Sequence, residues 1–286
     1  MFEIGNGTLV LTLCEPGEYY KGTRFDRAGV FRRIVYKGLA WADVWFDDDN
    51  PFRHDHLCGT SEEFFSQIGY ESAPVGGTFL KVGVGLLVRP SEDPYDWFHT
   101  YEIADEGRRT LFHDASKAVF TQILDGYYEY EKTVEITGQG SWRIAHKLRN
   151  TGKRKMELEQ YNHNFFTFGI PRVGPERSVE FGFPIEGQWR SDSVNADKDV
   201  NAIRITSPML PGQKAYIGNV LPASDYEGGY NFVIRAGGRS VHVSSDCKMS
   251  HAVFWTNHRV FCPEPYIPIQ VESGETACWL IDYVLE

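Results

Sequence analysis

Basic residues, cysteines and long apolar runs are all scarce in this chain, and each scarcity excludes a class of protein. Lys and Arg number 29 against 39 Asp and Glu, a formal net charge of −10 over 286 residues. Proteins that follow nucleic-acid phosphates carry a basic footprint, so no nucleic-acid partner is expected. No apolar stretch approaches the ~18 residues of a spanning helix, and no membrane partner is expected. Met1-Phe2-Glu3-Ile4-Gly5 shows no basic segment leading into a long apolar one, so no secretory signal is read there. The five cysteines (Cys14, Cys58, Cys247, Cys262 and Cys278) are odd in number, far apart and include no CxxC pair. That usage fits reduced thiols in a cytoplasmic protein.

Several catalytic signatures are missing too. Gly83-Val84-Gly85-Leu86-Leu87-Val88 lacks the third glycine of a dinucleotide fingerprint, and neither a phosphate loop nor an HExxH zinc motif occurs. Gly59-Thr60-Ser61-Glu62-Glu63 lacks the second glycine of a nucleophile elbow. Helical runs are nearly absent; the best is Ser61 to Gln67, a short stretch with acidic residues suited to a helix N-terminus.

What the chain does have is aromatic mass and alternation. The 15 Tyr, 19 Phe and 7 Trp make up 14 % of the residues, which suits strands and also suits sugar sites, where ring faces meet the apolar faces of pyranoses. Trp142, Ile144, His146 and Leu148 alternate with polar residues up to the turn Asn150-Thr151-Gly152. Met156, Leu158 and Gln160 then oppose Glu157, Glu159, Tyr161 and His163 on the next strand. Val241 and Val243 follow the same period, and Trp279, Ile281, Tyr283 and Leu285 form a last strand. Turn signals such as Gly76-Gly77, Asp125-Gly126 and Gly237-Gly238 punctuate the chain. Many strands without alternating helices predict an all-β, large antiparallel β-sandwich. With no linker or repeat in view, residues 1–286 read as one domain.

Two segments carry chemistry. Glu159-Gln160-Tyr161-Asn162-His163-Asn164-Phe165-Phe166 sets an imidazole in a strand between amides, which are poor strand formers and suggest a polar pocket floor. Phe261-Cys262-Pro263-Glu264-Pro265-Tyr266 holds a carboxylate between two prolines, which break regular ladder pairing. His54-Asp55-His56, after Asp47-Asp48-Asp49-Asn50, has two readings: imidazoles on one strand face able to chelate a metal, or a polar loop.

Taken in this order, Asn162-His163-Asn164-Phe165-Phe166, then Tyr230 to Thr256, Glu264-Pro265, Ser273-Gly274-Glu275 and a final strand resemble the aldose 1-epimerase, or galactose mutarotase-like, superfamily. The resemblance implies that family's supersandwich, with His163 as general acid and Glu264 as general base for the interconversion of sugar anomers. The family's upstream arginine and second histidine would fall at Arg24 and at His54 or His56. Its sugar-binding aspartate is absent from Tyr226 to Phe232, where Asp225 or Glu227 can stand in. Tyr161 would orient the sugar, Glu159 would keep His163 protonated, and Glu63 would lie on a substrate-contacting loop. The partner implied is a small sugar, and neither metal nor organic cofactor is required. Two other readings stay open: glycoside cleavage by Glu264 with Glu62 or Glu63, and a carbohydrate-binding module without catalysis. Few basic residues lie near the motifs, which disfavours a sugar phosphate.

Overall fold

A computed structural model describes residues 1–186, 195–223 and 226–286. The alternating segments form strands as their period requires. Trp142, Ile144, His146 and Leu148 all point inward from Ser141–Asn150, and Trp279, Ile281, Tyr283 and Leu285 do so from Thr276–Leu285. These two strands pair antiparallel in the middle of a ten-stranded sheet that runs from Ala196–Lys198 at one edge to Arg108–His113 at the other.

Against it packs a six-stranded sheet in the order Ile185–Glu186, Lys214–Pro222, His251–Asn257, Phe261–Val271, Met156–Phe165 and Gly59–Phe64. Its pairings are antiparallel throughout. A four-stranded N-terminal sheet and a three-stranded one complete an antiparallel β-sandwich. No helix occurs among the described residues, so none there is long and apolar enough to cross a membrane.

The helix expected from Ser61 to Gln67 is instead the edge strand Gly59–Phe64. Gly59 opens it at φ 62°, a conformation that glycine tolerates, and a Cβ there would lie 3.1 Å from Phe31 and Ile34 atoms. Alternation along the strand sends Glu62 inward and Glu63 outward, and both are buried. Strands near this edge are covered on both faces, which explains why Gln160 to Phe165 are buried without interruption.

The prolines do break a ladder, on one side only. Phe261–Val271 keeps register with His251–Asn257 through Pro263↔Phe254 and Pro265↔Ala252. Toward Met156–Phe165 the register ends at Tyr161↔Tyr266. In an antiparallel strand alternate residues direct their N–H groups to the same neighbour, and residues 263 and 265 have none to give. The two strands therefore part beyond Tyr161, and Asn164 Nδ2 bridges the gap by donating to the Pro263 carbonyl at 2.7 Å. His163 and Glu264 lie on either side of that split.

Candidate active site

Across the split, His163 Nε2 and Glu264 Oε1 are 3.0 Å apart, with side chains 6 % and 5 % exposed. Phe165 stacks on the imidazole at 3.9 Å, and Phe25 and Trp255 meet it edge-on at 6.0 and 5.6 Å. Nδ1 of His163 is buried and has no partner. So enclosed, each group is driven toward its neutral form. Burial, helped by the Glu63 charge and opposed by Arg24, raises the Glu264 carboxyl to about 8. Burial, then Arg24 and His54, holds His163 well below its ordinary value. Both directions favour the uncharged form, so the pair is a carboxylic acid in contact with a neutral imidazole, holding one proton between them.

The expected charge partner for His163 is elsewhere. Glu159 lies 3.9 Å from His251 and within 3.5 Å of the Ser250 hydroxyl, two residues down the strand from Tyr161. A strand face spaces alternate residues too far apart for a short carboxylate to reach the second one along.

Beside the pair is a saturated ionic cluster. Glu63 accepts from Lys81 Nζ at 2.9 Å on one oxygen, and from Arg24 Nε at 2.7 Å and the Tyr161 hydroxyl at 2.5 Å on the other. Arg24 also donates to the Tyr161 oxygen at 2.8 Å and sits 3.3 Å from His54 Nδ1. Burial pushes the Glu63 carboxyl up, but Lys81, Arg24 and the Tyr161 bond outweigh it and hold it low and ionised. Glu63 and Lys81 have no exposed side-chain surface, whereas Arg24 keeps 14 %. Glu63 and Tyr161, both fully buried, thus hold Arg24 in place, whereas the expectation put them against the sugar itself.

The histidine that joins Arg24 is His54. His56 stacks on Phe46 at 4.1 Å and pairs with Asp48 at 3.2 Å, away from Arg24. Among the described residues no group of His, Cys, Asp and Glu is arranged to hold a metal. Asp225 lies outside the described residues, and Glu227 pairs with Lys248 at 3.1 Å on the surface, with 80 % of its side chain exposed. Lys81 was not anticipated; its signal was a cation set within Phe79-Leu80-Lys81-Val82, an apolar run.

Glu62 faces the opposite way, into the sandwich. His146 Nε2 is 2.7 Å away, Lys132 forms a close ion pair with it, and Asn162 donates at 3.2 Å. It cannot share a substrate with Glu264.

Burial of Glu264 has a measurable cost. An acid raised from 4.5 to about 8 carries no penalty below its unfolded value, and the penalty grows as pH rises toward 8. Glu264→Gln removes the ionisation and is expected to stabilise the protein at pH 9 by on the order of 5 kcal/mol, at ~1.4 kcal/mol per unit. At pH 4 the difference is expected to vanish. Denaturant unfolding at both values checks this; parallel wild-type and variant profiles would contradict a buried Glu264.

No family model matches the chain, and no curated protein matches it either. Solved structures do. A candidate aldose 1-epimerase from Escherichia coli K12 superposes with a TM-score of 0.62 at 10 % identity, covering 100 % of this chain and 98 % of the other. A galactose mutarotase-like protein from Lactobacillus casei ATCC 334 gives 0.55 at 12 % identity, with 100 % of both chains covered. An aldose epimerase homologue from C. elegans gives 0.52 at 11 % identity, covering 100 % and 98 %. At such identities the likeness establishes the fold, which is galactose mutarotase-like.

Proposed function

We propose that the chain is an isomerase of the aldose 1-epimerase type, which interconverts the α and β anomers of a neutral sugar. The observation that carries this reading is the buried His163–Glu264 contact of 3.0 Å, at the split in a mutarotase-like sheet. O1 and O5 of an aldopyranose hang on the same carbon, so the two groups that serve them must be neighbours.

In ring opening, one member of the pair takes the proton from the O1 hydroxyl as C1=O1 forms. The C1–O5 bond breaks, and the other member gives its proton to O5. Rotation about C1–C2 turns the aldehyde over, and the reverse transfers close the opposite anomer. Each transfer exchanges the members' protonation states, so a turnover visits both imidazolium–carboxylate and imidazole–carboxylic acid. Glu264 as base and His163 as acid is one half of the cycle. Burial selects the other half as the resting form and leaves the proton count unchanged.

Arg24, fixed by Glu63, Tyr161 and His54, supplies a charge beside the pair for a hydroxyl. Three of its five N–H donors are engaged by Glu63, His54 and Tyr161, one on each nitrogen, which leaves no free fork for a phosphate and favours an uncharged sugar. Glycoside cleavage is disfavoured because Glu62 is on the far face and both oxygens of Glu63 are occupied. The reading further has one domain working in the cytoplasm on a small sugar, without metal, cofactor, nucleic acid or membrane.

Polarimetry tests it. Freshly dissolved α-aldoses are expected to reach anomeric equilibrium faster with the protein than without, while methyl glycosides release no sugar. Glycoside release without accelerated mutarotation would favour hydrolysis instead.

A further inference from the structure

We infer that Asn164 is a positioning residue for the His163–Glu264 pair, whose spacing is set by its side-chain amide and not by the sheet ladder. This rests on the anomer-exchange reading above, in which both groups serve one sugar ring. Asn164 is fully buried. Its Nδ2 donates to the Pro263 carbonyl at 2.7 Å and to the Asn162 carbonyl at 3.1 Å. Its Oδ1 accepts from the Tyr283 hydroxyl at 3.2 Å. Two carbonyls at one end of the amide require the nitrogen there, so its orientation follows from its partners.

The carbonyl of residue 162 belongs to the peptide unit that leads into His163, and that of residue 263 to the unit that leads into Glu264. One planar group of fixed size therefore holds both units at once. No ladder rung does so. Among the described residues the two strands pair at Tyr161↔Tyr266 and next at Phe166↔Phe261, with no pairing between. Residues 263 and 265 have no N–H with which to restore one.

Strand alternation puts Asn164 on the inner face, opposite to His163. There Tyr283 anchors it to the ten-stranded sheet. Tyr283 is itself buried in Thr276–Leu285 and stacks on Trp142 at 4.8 Å, so its hydroxyl is a fixed point.

The molecule holds an internal comparison. Asn150, also buried, donates from Nδ2 to the Arg154 and Val271 carbonyls at 2.8 and 2.9 Å, and its Oδ1 accepts from the Gly152 N–H at 2.9 Å. It bridges the same two strands, Met156–Phe165 and Phe261–Val271, at their opposite end.

Anomer-exchange kinetics and NMR of the His163 ring test this on the wild type, Asn164→Ala, Tyr283→Phe and Asn150→Ala. Asn164→Ala is expected to lower kcat by about 10²-fold, the order that a misplacement of ~1 Å costs, with KM little changed. Tyr283→Phe keeps the ring but frees the amide oxygen, and is expected to lower kcat by a smaller factor. Asn150→Ala is expected to cost comparable stability in denaturant and to leave kcat at the wild-type value. Wild-type kcat in Asn164→Ala, or an equal loss in Asn150→Ala, would overturn the inference while leaving the exchange reading intact. If the wild type exchanges no sugar, the exchange reading fails, and the ring signals decide the spacing. Glu264→Gln is expected to shift the His163 ring signals in the wild-type and Asn150→Ala backgrounds. In Asn164→Ala that shift is expected to be lost, because the two groups no longer touch. The same shift in all three backgrounds would reject the positioning role. If Asn164→Ala does not fold, Tyr283→Phe carries both readouts, and wild-type kcat with an undiminished shift would overturn the inference.

Discussion

Replacing Glu264 by glutamine, or His163 by alanine, is expected to slow anomer exchange by about 10²–10⁴-fold, the usual contribution of a positioned acid or base. Each single change should come close to the full loss, because every turnover requires both members to give and to take a proton. The double variant is accordingly expected to be little slower than the worse single one, since groups that act as a unit are not additive. Unfolding cannot account for the loss in Glu264→Gln, which is expected to be the more stable protein at alkaline pH. Stopped polarimetry on all three variants, with circular dichroism to confirm folding, makes the comparison. Independent, multiplicative losses would show that the two groups do not work as a pair.

The second large effect concerns the inner face of the same edge of the sheet. Lys132 lies in the sandwich interior, ion-paired with Glu62, 3.6 Å from Asp26 and donating to the Ala28 carbonyl at 2.9 Å. Tyr130 donates to Asp26 at 3.0 Å, and His146 closes the cluster on Glu62. Desolvation opposes the Glu62 charge, but His146 and Lys132 overcome it and bring the carboxyl down to about 2. Lys132→Met removes the cation that Glu62 and Asp26 share, two buried carboxylates then left with His146, Asn162 and Tyr130, and is expected to cost about 3–5 kcal/mol. For a chain of this size that corresponds to a fall in Tm of roughly 10 °C. Adding Glu62→Gln should recover part of the loss, because the uncompensated charge is gone.

The sign with pH is fixed by the same group. A depressed acid contributes its stability above its ordinary value of 4.5, and the contribution is lost as pH falls toward about 2. Wild-type protein is thus expected to lose on the order of 3 kcal/mol over that interval through Glu62, at ~1.4 kcal/mol per unit. Thermal unfolding of the single and double variants at neutral and acid pH measures both terms. A Lys132→Met protein as stable as wild type would contradict the buried network.

The fold was legible in the sequence because period-two alternation is local: Trp142 to Leu148 and Trp279 to Leu285 each reveal an inward face without their partners. The segments around His163 and Glu264 were conspicuous for a different reason, since amides around a strand histidine and prolines around a glutamate are locally costly. Only the family resemblance joined the two residues into one expected site. What escaped was set by long-range pairing. Glu62 and Glu63 read as an acidic helix start because their cations, Lys132, Lys81 and Arg24, lie far away in sequence. Which of two neighbouring histidines would join Arg24 depended on a loop path that the sequence pattern does not encode. Tyr161 was placed on the correct face, but its hydroxyl is engaged by Glu63 and Arg24 within the protein.

The central claim is that His163 and Glu264 together pass protons to and from one sugar ring. NMR saturation transfer between α and β anomeric protons, across glucose, galactose, xylose, mannose, rhamnose and fucose, tests it most directly. Exchange above the uncatalysed rate for at least one sugar, lost in both His163→Ala and Glu264→Gln, is the predicted result. Exchange that survives either substitution would contradict the claim by placing the proton transfers elsewhere. No exchange with any sugar, beside clear line broadening on binding, would contradict it by pointing to carbohydrate binding without catalysis.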